Sequence, residues 1–124
     1  MAESKLRIVM VGHCGPDSYA LKSAVGSAVP GAEVVFANDE KKLAESVKGA
    51  ALLLVNRVLD GDFADDGGIE LIGKLAATGA NVMLVSNYPD AQEEAEKAGA
   101  LPGFGKTTMY AAETKERIRA AVAD

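Results

Sequence analysis

The stretch Ala50-Ala51-Leu52-Leu53-Leu54-Val55-Asn56 constrains the fold of this chain more than any other. It is a short, unbroken apolar run closed by one polar residue, so neither of its faces suits water. That pattern predicts a strand buried on both sides, in the middle of a parallel sheet covered by helices. The C-terminal end of such a strand is where open α/β sheets place their sites. Asn56 stands at that end. Its amide is a poor acid, base or nucleophile, so a site-like position carries an inert group.

The flanking segments alternate between strand and helix signals. Residues 6–11 predict a first strand, 32–37 a second, 81–86 a fourth and 101–105 a glycine-broken fifth. Asp17 or Ser18 is the expected cap of a first helix that ends near Val29, where Pro30-Gly31 stops it. Asn38 or Asp39 caps a second helix reaching about Lys48. Residues 69–77 and 91–98 form the third and fourth helices, and 109–123 the last. Five such alternations imply a parallel sheet with helices on both faces and right-handed crossovers. The strand-to-helix loops then gather at one edge, which collects His13, Cys14, Asn56, Ser86 and Lys106.

Size and composition narrow the class. The chain's 124 residues suffice for one domain, 1–124, with a sizeable core. A net charge of -5 argues against nucleic acid or an anionic membrane as a direct partner. No apolar run reaches spanning length, and the first residues carry no signal-peptide pattern. A single cysteine excludes an internal disulfide and fits a reducing cytoplasm. Tryptophan is absent, so a broad stacking surface for single strands is not expected.

With those positions in view, the chain resembles the receiver domain of two-component response regulators over nearly its whole length. The residues that carry the likeness are Val82-Met83-Leu84-Val85-Ser86, Ala98-Gly99-Ala100 and Gly103-Phe104-Gly105-Lys106. Ser86 matches the family's hydroxyl at the end of the fourth strand, and Lys106 its lysine at the end of the fifth. Gly68 matches a glycine at the start of the third helix. The resemblance implies a three-layer (βα)5, flavodoxin-like fold with a five-stranded parallel sheet in the order 2-1-3-4-5. It also implies signalling through a protein partner: a kinase, a phosphotransfer protein or an effector. Asn56 stands where the family has its phosphoacceptor aspartate, and Gly12-His13 where it has the acidic pair that holds magnesium. Magnesium wants several oxygen ligands, including a carboxylate or two. The proline usual after the lysine is Thr107 here, and the aromatic switch position falls on Gly103, next to Phe104. The expectation is a degenerate receiver with no metal, no cofactor and no catalysis. Its residual pocket would be Gly12, His13, Asn56, Ser86 and Lys106, with Asn56 either holding Lys106 or capping backbone groups.

Other readings attach to the same edge. A cysteine in a glycine-containing loop before a helix can have its thiolate stabilised by the free amides. Cys14-Gly15-Pro16-Asp17-Ser18 resembles the loop of phosphotransferase-system IIB proteins, which implies Cys14 as an alternative nucleophile or phosphoryl carrier. Pro16 lacks a donor and Asp17 repels phosphate, which counts against it. Small-molecule or anion sensing by Lys106, Ser86 and loop amides is another alternative. The acidic loop with Asp60, Asp62, Asp65 and Asp66 does not fit calcium-loop spacing. Gly105-Lys106-Thr107 lacks the first glycine of a P-loop. Finally, the fourth helix, fifth strand and last helix offer a face for a homodimer, with Lys115, Arg117 and Arg119 opposite the acidic fourth helix.

Overall fold

The computed structural model describes residues 6–63 and 67–123. The strands are β1 (Arg7–Val11), β2 (Glu33–Ala37), β3 (Ala50–Asn56), β4 (Val82–Val85) and β5 (Leu101–Phe104). The helices are α1 (Gly15–Ala28), α2 (Glu40–Val47), α3 (Gly68–Ala77), α4 (Pro89–Ala98) and α5 (Ala112–Val122). All strand pairs are parallel and the order is β2-β1-β3-β4-β5, as the resemblance implies.

β3 lies between β1 and β4, and Leu52, Leu53, Leu54 and Val55 are fully buried. Alternation splits them between two cores. Leu52 and Leu54 join Ile8, Met10 and Phe104 against Leu21 and Val25 of α1 and Ile118 of α5. Leu53 and Val55 join Val9, Val11 and Leu84 against Leu43 of α2, Ile72 of α3 and Ala95 of α4. Each of the larger side chains, from valine upward, contributes about 1.5–3 kcal/mol by leaving water. The run can therefore be apolar throughout because both sides of the sheet are covered. Among the described residues, no helix is long and apolar enough to cross a membrane.

Helix starts differ from expectation in three places. α1 begins at Gly15 with extended Cys14 at its N-cap, not at Asp17 or Ser18. Pro16 suits the first turn, where its missing N–H is not needed, so the helix starts early and Asp17 falls in that turn. α4 begins at Pro89 instead of Ala91 for the same reason. The last helix begins at Ala112 instead of Met109. A 3-10 turn, Lys106–Thr108, intervenes, and Thr108 supplies the carbonyl that accepts from Thr114 Oγ1 at 2.7 Å. The α2 cap is Asp39, whose Oδ1 accepts from the Lys42 amide at 2.6 Å.

Candidate functional site

Asn56 is half-buried at the end of β3. Its Nδ2 donates to Gly12 O at 2.9 Å and to Val58 O at 2.8 Å, while its Oδ1 accepts from the Arg57 amide at 3.0 Å. Both groups facing Nδ2 are carbonyls, which fixes the amide's orientation. The side chain joins the end of β1 to the loop that follows β3. No hydrogen bond to Lys106 or Ser86 is formed among the described residues, so Asn56 caps local backbone and does not hold the lysine. An aspartate here would aim a carboxylate oxygen at two carbonyl oxygens.

The loop after β3 covers the neighbouring strand ends. Gly12 has φ +73°, and Leu59 lies so close that a Cβ on Gly12 would be 2.6 Å from Leu59 Cδ2. The Asp60 amide donates to Gly12 O at 2.9 Å and the Asp62 amide to Asn38 O at 2.8 Å. Gly61, at φ +118°, presses against Asn38 O, where any Cβ would overlap it. Gly68 returns the chain under Asn56, its amide bonded to Arg57 O at 2.8 Å, again with no room for a Cβ. That contact explains why the position matched from the resemblance is glycine.

His13 is buried at 1% exposure. Its Nε2 donates to Leu54 O at 2.9 Å, which leaves Nδ1 buried and without a hydrogen-bond partner. Burial lowers its pKa to about 4; the Leu54 carbonyl opposes that shift and nearby Lys106 adds to it. A glycine under a leucine, an amide spent on carbonyls and an enclosed imidazole do not form a magnesium site, which needs exposed oxygens. Among the described residues, no group of histidine, cysteine and acidic side chains converges as a metal site. Asp65 and Asp66 of the acidic loop lie outside the described residues.

Lys106 goes elsewhere. Its Nζ pairs with Asp17 Oδ2 of α1 at 2.5 Å, with both side chains about a third exposed (33% and 32%). Lys106, followed by a hydrogen bond from Cys14, holds the Asp17 carboxyl below its ordinary range. Cys14 is partly exposed, and the Asp17 carboxylate beside it repels a phosphoryl group. Asp17 is the site residue that reading the sequence for this pocket misses. It lies 89 positions from its partner, and only the packing of α1 beside α5 on one face of the sheet brings the two together.

Ser86 is buried beside Asn87. Its Oγ accepts from the Tyr88 amide at 3.2 Å. A cavity of about 320 Å³ is lined by Asn56, Arg57, Ser86, Asn87, Tyr88 and Lys106, among others. The sequence-predicted trio therefore shares a cavity without sharing hydrogen bonds. Gln92 of α4 closes the floor nearby: Nε2 lies 2.9 Å from Leu84 O, 3.1 Å from Ser86 O and 3.1 Å from Phe104 O. A Cβ on Gly103 would strike Leu84 O and approach Gln92 Oε1 at 2.8 Å. Phe104 is committed to the core, so the side of β5 that meets α4 carries no aromatic ring. Of the basic residues proposed for a dimer face, Arg117 is engaged with Gly103 O and Glu113, and Arg119 with Ala28 O, all within the chain.

No protein-family model matches the sequence, and no curated protein does. Solved structures do. The signal receiver domain of a DNA-binding response regulator from Colwellia psychrerythraea 34H superposes with a TM-score of 0.75 at 12% identity, covering 97% of this chain and 100% of that one. A response regulator from Thermotoga maritima gives 0.75 at 18% identity over 98% and 100%. The response regulator domain of Thermotoga maritima CheB gives 0.71 at 22% identity, covering 98% of each. The fold of this chain is that of receiver domains.

Proposed function

We propose that this chain is an atypical receiver that signals through contacts with another protein and without phosphorylation of an aspartate at the β3 end. It has no catalytic activity of its own. The partner is a kinase, a phosphotransfer protein or an effector, met in the cytoplasm, where a lone thiol such as Cys14 stays reduced. The receiver fold supports a signalling role. The observation that carries the rest is Asn56, whose amide hydrogens are both spent on backbone carbonyls. No nucleophile is left at that position: the remaining atom, Oδ1, is a neutral amide oxygen that accepts from the Arg57 amide. Incubation with acetyl phosphate and magnesium, followed by intact mass, tests the reading. An unchanged mass is expected. A stoichiometric phosphate adduct that hydroxylamine removes would overturn it, because it would mean an acyl phosphate on a carboxylate.

A further inference from the structure

α3 and α4 run side by side from the edge of the sheet that holds the site. Toward their C-terminal ends they touch through small residues: Gly73 faces Ala98, and Gly99 leaves no room for a Cβ beside Ala76. At their N-terminal ends they leave a groove of about 610 Å³, lined in part by Arg57, Val58, Glu70, Tyr88, Asp90 and Glu94. Val58 and Tyr88, two of the exposed large hydrophobic residues, both line this groove, at 49% and 60% exposure. Arg57, the cation in its lining, stacks over the Tyr88 ring with its guanidinium carbon 5.0 Å from the centroid.

The charge around the groove is acidic beyond what the helices require. Glu70 and Asp90 lie in first turns, where a carboxylate offsets the helix dipole. Glu94 is one turn further on, four residues after Asp90. A like-charge pair at that spacing costs roughly 0.2–0.5 kcal/mol. Neither Asp90 nor Glu94 forms an ion pair among the described residues.

We propose that the groove between α3 and α4 docks a cationic segment of a partner protein. An arginine or lysine of that segment lies beside Asp90 and Glu94, and an apolar neighbour lies on Val58 and Tyr88. An anionic partner meets repulsion there, and a purely apolar one leaves the carboxylates desolvated without compensation. The inference rests on the reading that the chain works by protein contact, and it names the surface and the chemistry of the partner. The test is an NMR titration of the full-length, 15N-labelled chain with a short blocked peptide alternating arginine and leucine. The same peptide with glutamate for arginine serves as control. Saturable shifts confined to Val58, 67–70 and 88–94 are expected from the first peptide only. Asp90→Asn with Glu94→Gln weakens binding about tenfold or more, whereas Glu45→Gln with Glu116→Gln leaves it unchanged. The docking proposal is overturned by no saturable shift, by equal weakening in both variants, or by the same shifts with magnesium or calcium alone. Shifts on another face overturn the groove but leave signalling by contact standing. A phosphate adduct in the mass experiment does the reverse.

Discussion

At the scale of single residues, the site is defined by what its polar groups are already doing. Asn56→Asp replaces the two N–H donors of Nδ2 with one carboxylate oxygen that faces two carbonyls. The expected result is a loss of about 1–3 kcal/mol at neutral pH, read by denaturant unfolding, with partial recovery in acid as the carboxyl protonates. His13 gives a second prediction. Its folded pKa, about 4, lies below the ordinary imidazole value of 6.5, so it stays neutral in the fold while the unfolded chain binds a proton. Stability from this group is complete above pH 6.5 and is lost as pH falls from there toward 4. Between pH 7 and 5 the loss is roughly 2 kcal/mol, and His13→Gln should flatten that part of the stability profile. A profile unchanged by the substitution would refute the assignment. The sequence alone shows that Asn56 is unsuited to phosphorylation. It does not show that His13 is buried or that its ring bonds Leu54, 41 positions away.

At the scale of elements, the strands are legible because β3 and β1 are apolar on both faces, and the helices because their apolar residues recur with helical spacing. The helix starts are less so. Proline in the first turns moves α1 upstream of Asp17 and Ser18, the side chains expected to cap it, and α4 upstream of Ala91, its expected first residue. The connection between β3 and α3 is legible only as an acidic stretch. Its course over β1 and β2 depends on backbone hydrogen bonds to Gly12 and Asn38, which no side-chain pattern announces. Gly68 and Gln92 are the local tests. Gly68→Ala puts a methyl 1.9 Å from Asn56 O and should release the loop, with rapid amide exchange at Asp60 and Asp62. Gln92→Ala removes the donor shared by three carbonyls. It should cost about 1–3 kcal/mol and speed exchange of the Ser86 amide, which bonds Phe104 O at 2.9 Å. Protection retained at Ser86 would mean that the β4–β5 pairing alone holds that corner.

At the scale of the whole molecule, the two cores make the sheet indifferent to what its C-terminal edge does. The Lys106–Asp17 pair across α1 and the 3-10 turn is partly solvated, so it contributes roughly 0–1 kcal/mol and directs the lysine more than it stabilises the fold. The layering of helices over a parallel sheet was open to reading from the order of apolar runs. The destination of Lys106 was not, because a flexible side chain chooses among groups that only the finished packing brings near. Leu59 carries the last consequence. It occupies the ground directly above Gly12, so an acidic side chain transplanted to position 12 would run into a leucine. An engineer wishing to make this scaffold a phosphate acceptor would first have to shorten and re-route the segment that carries Leu59.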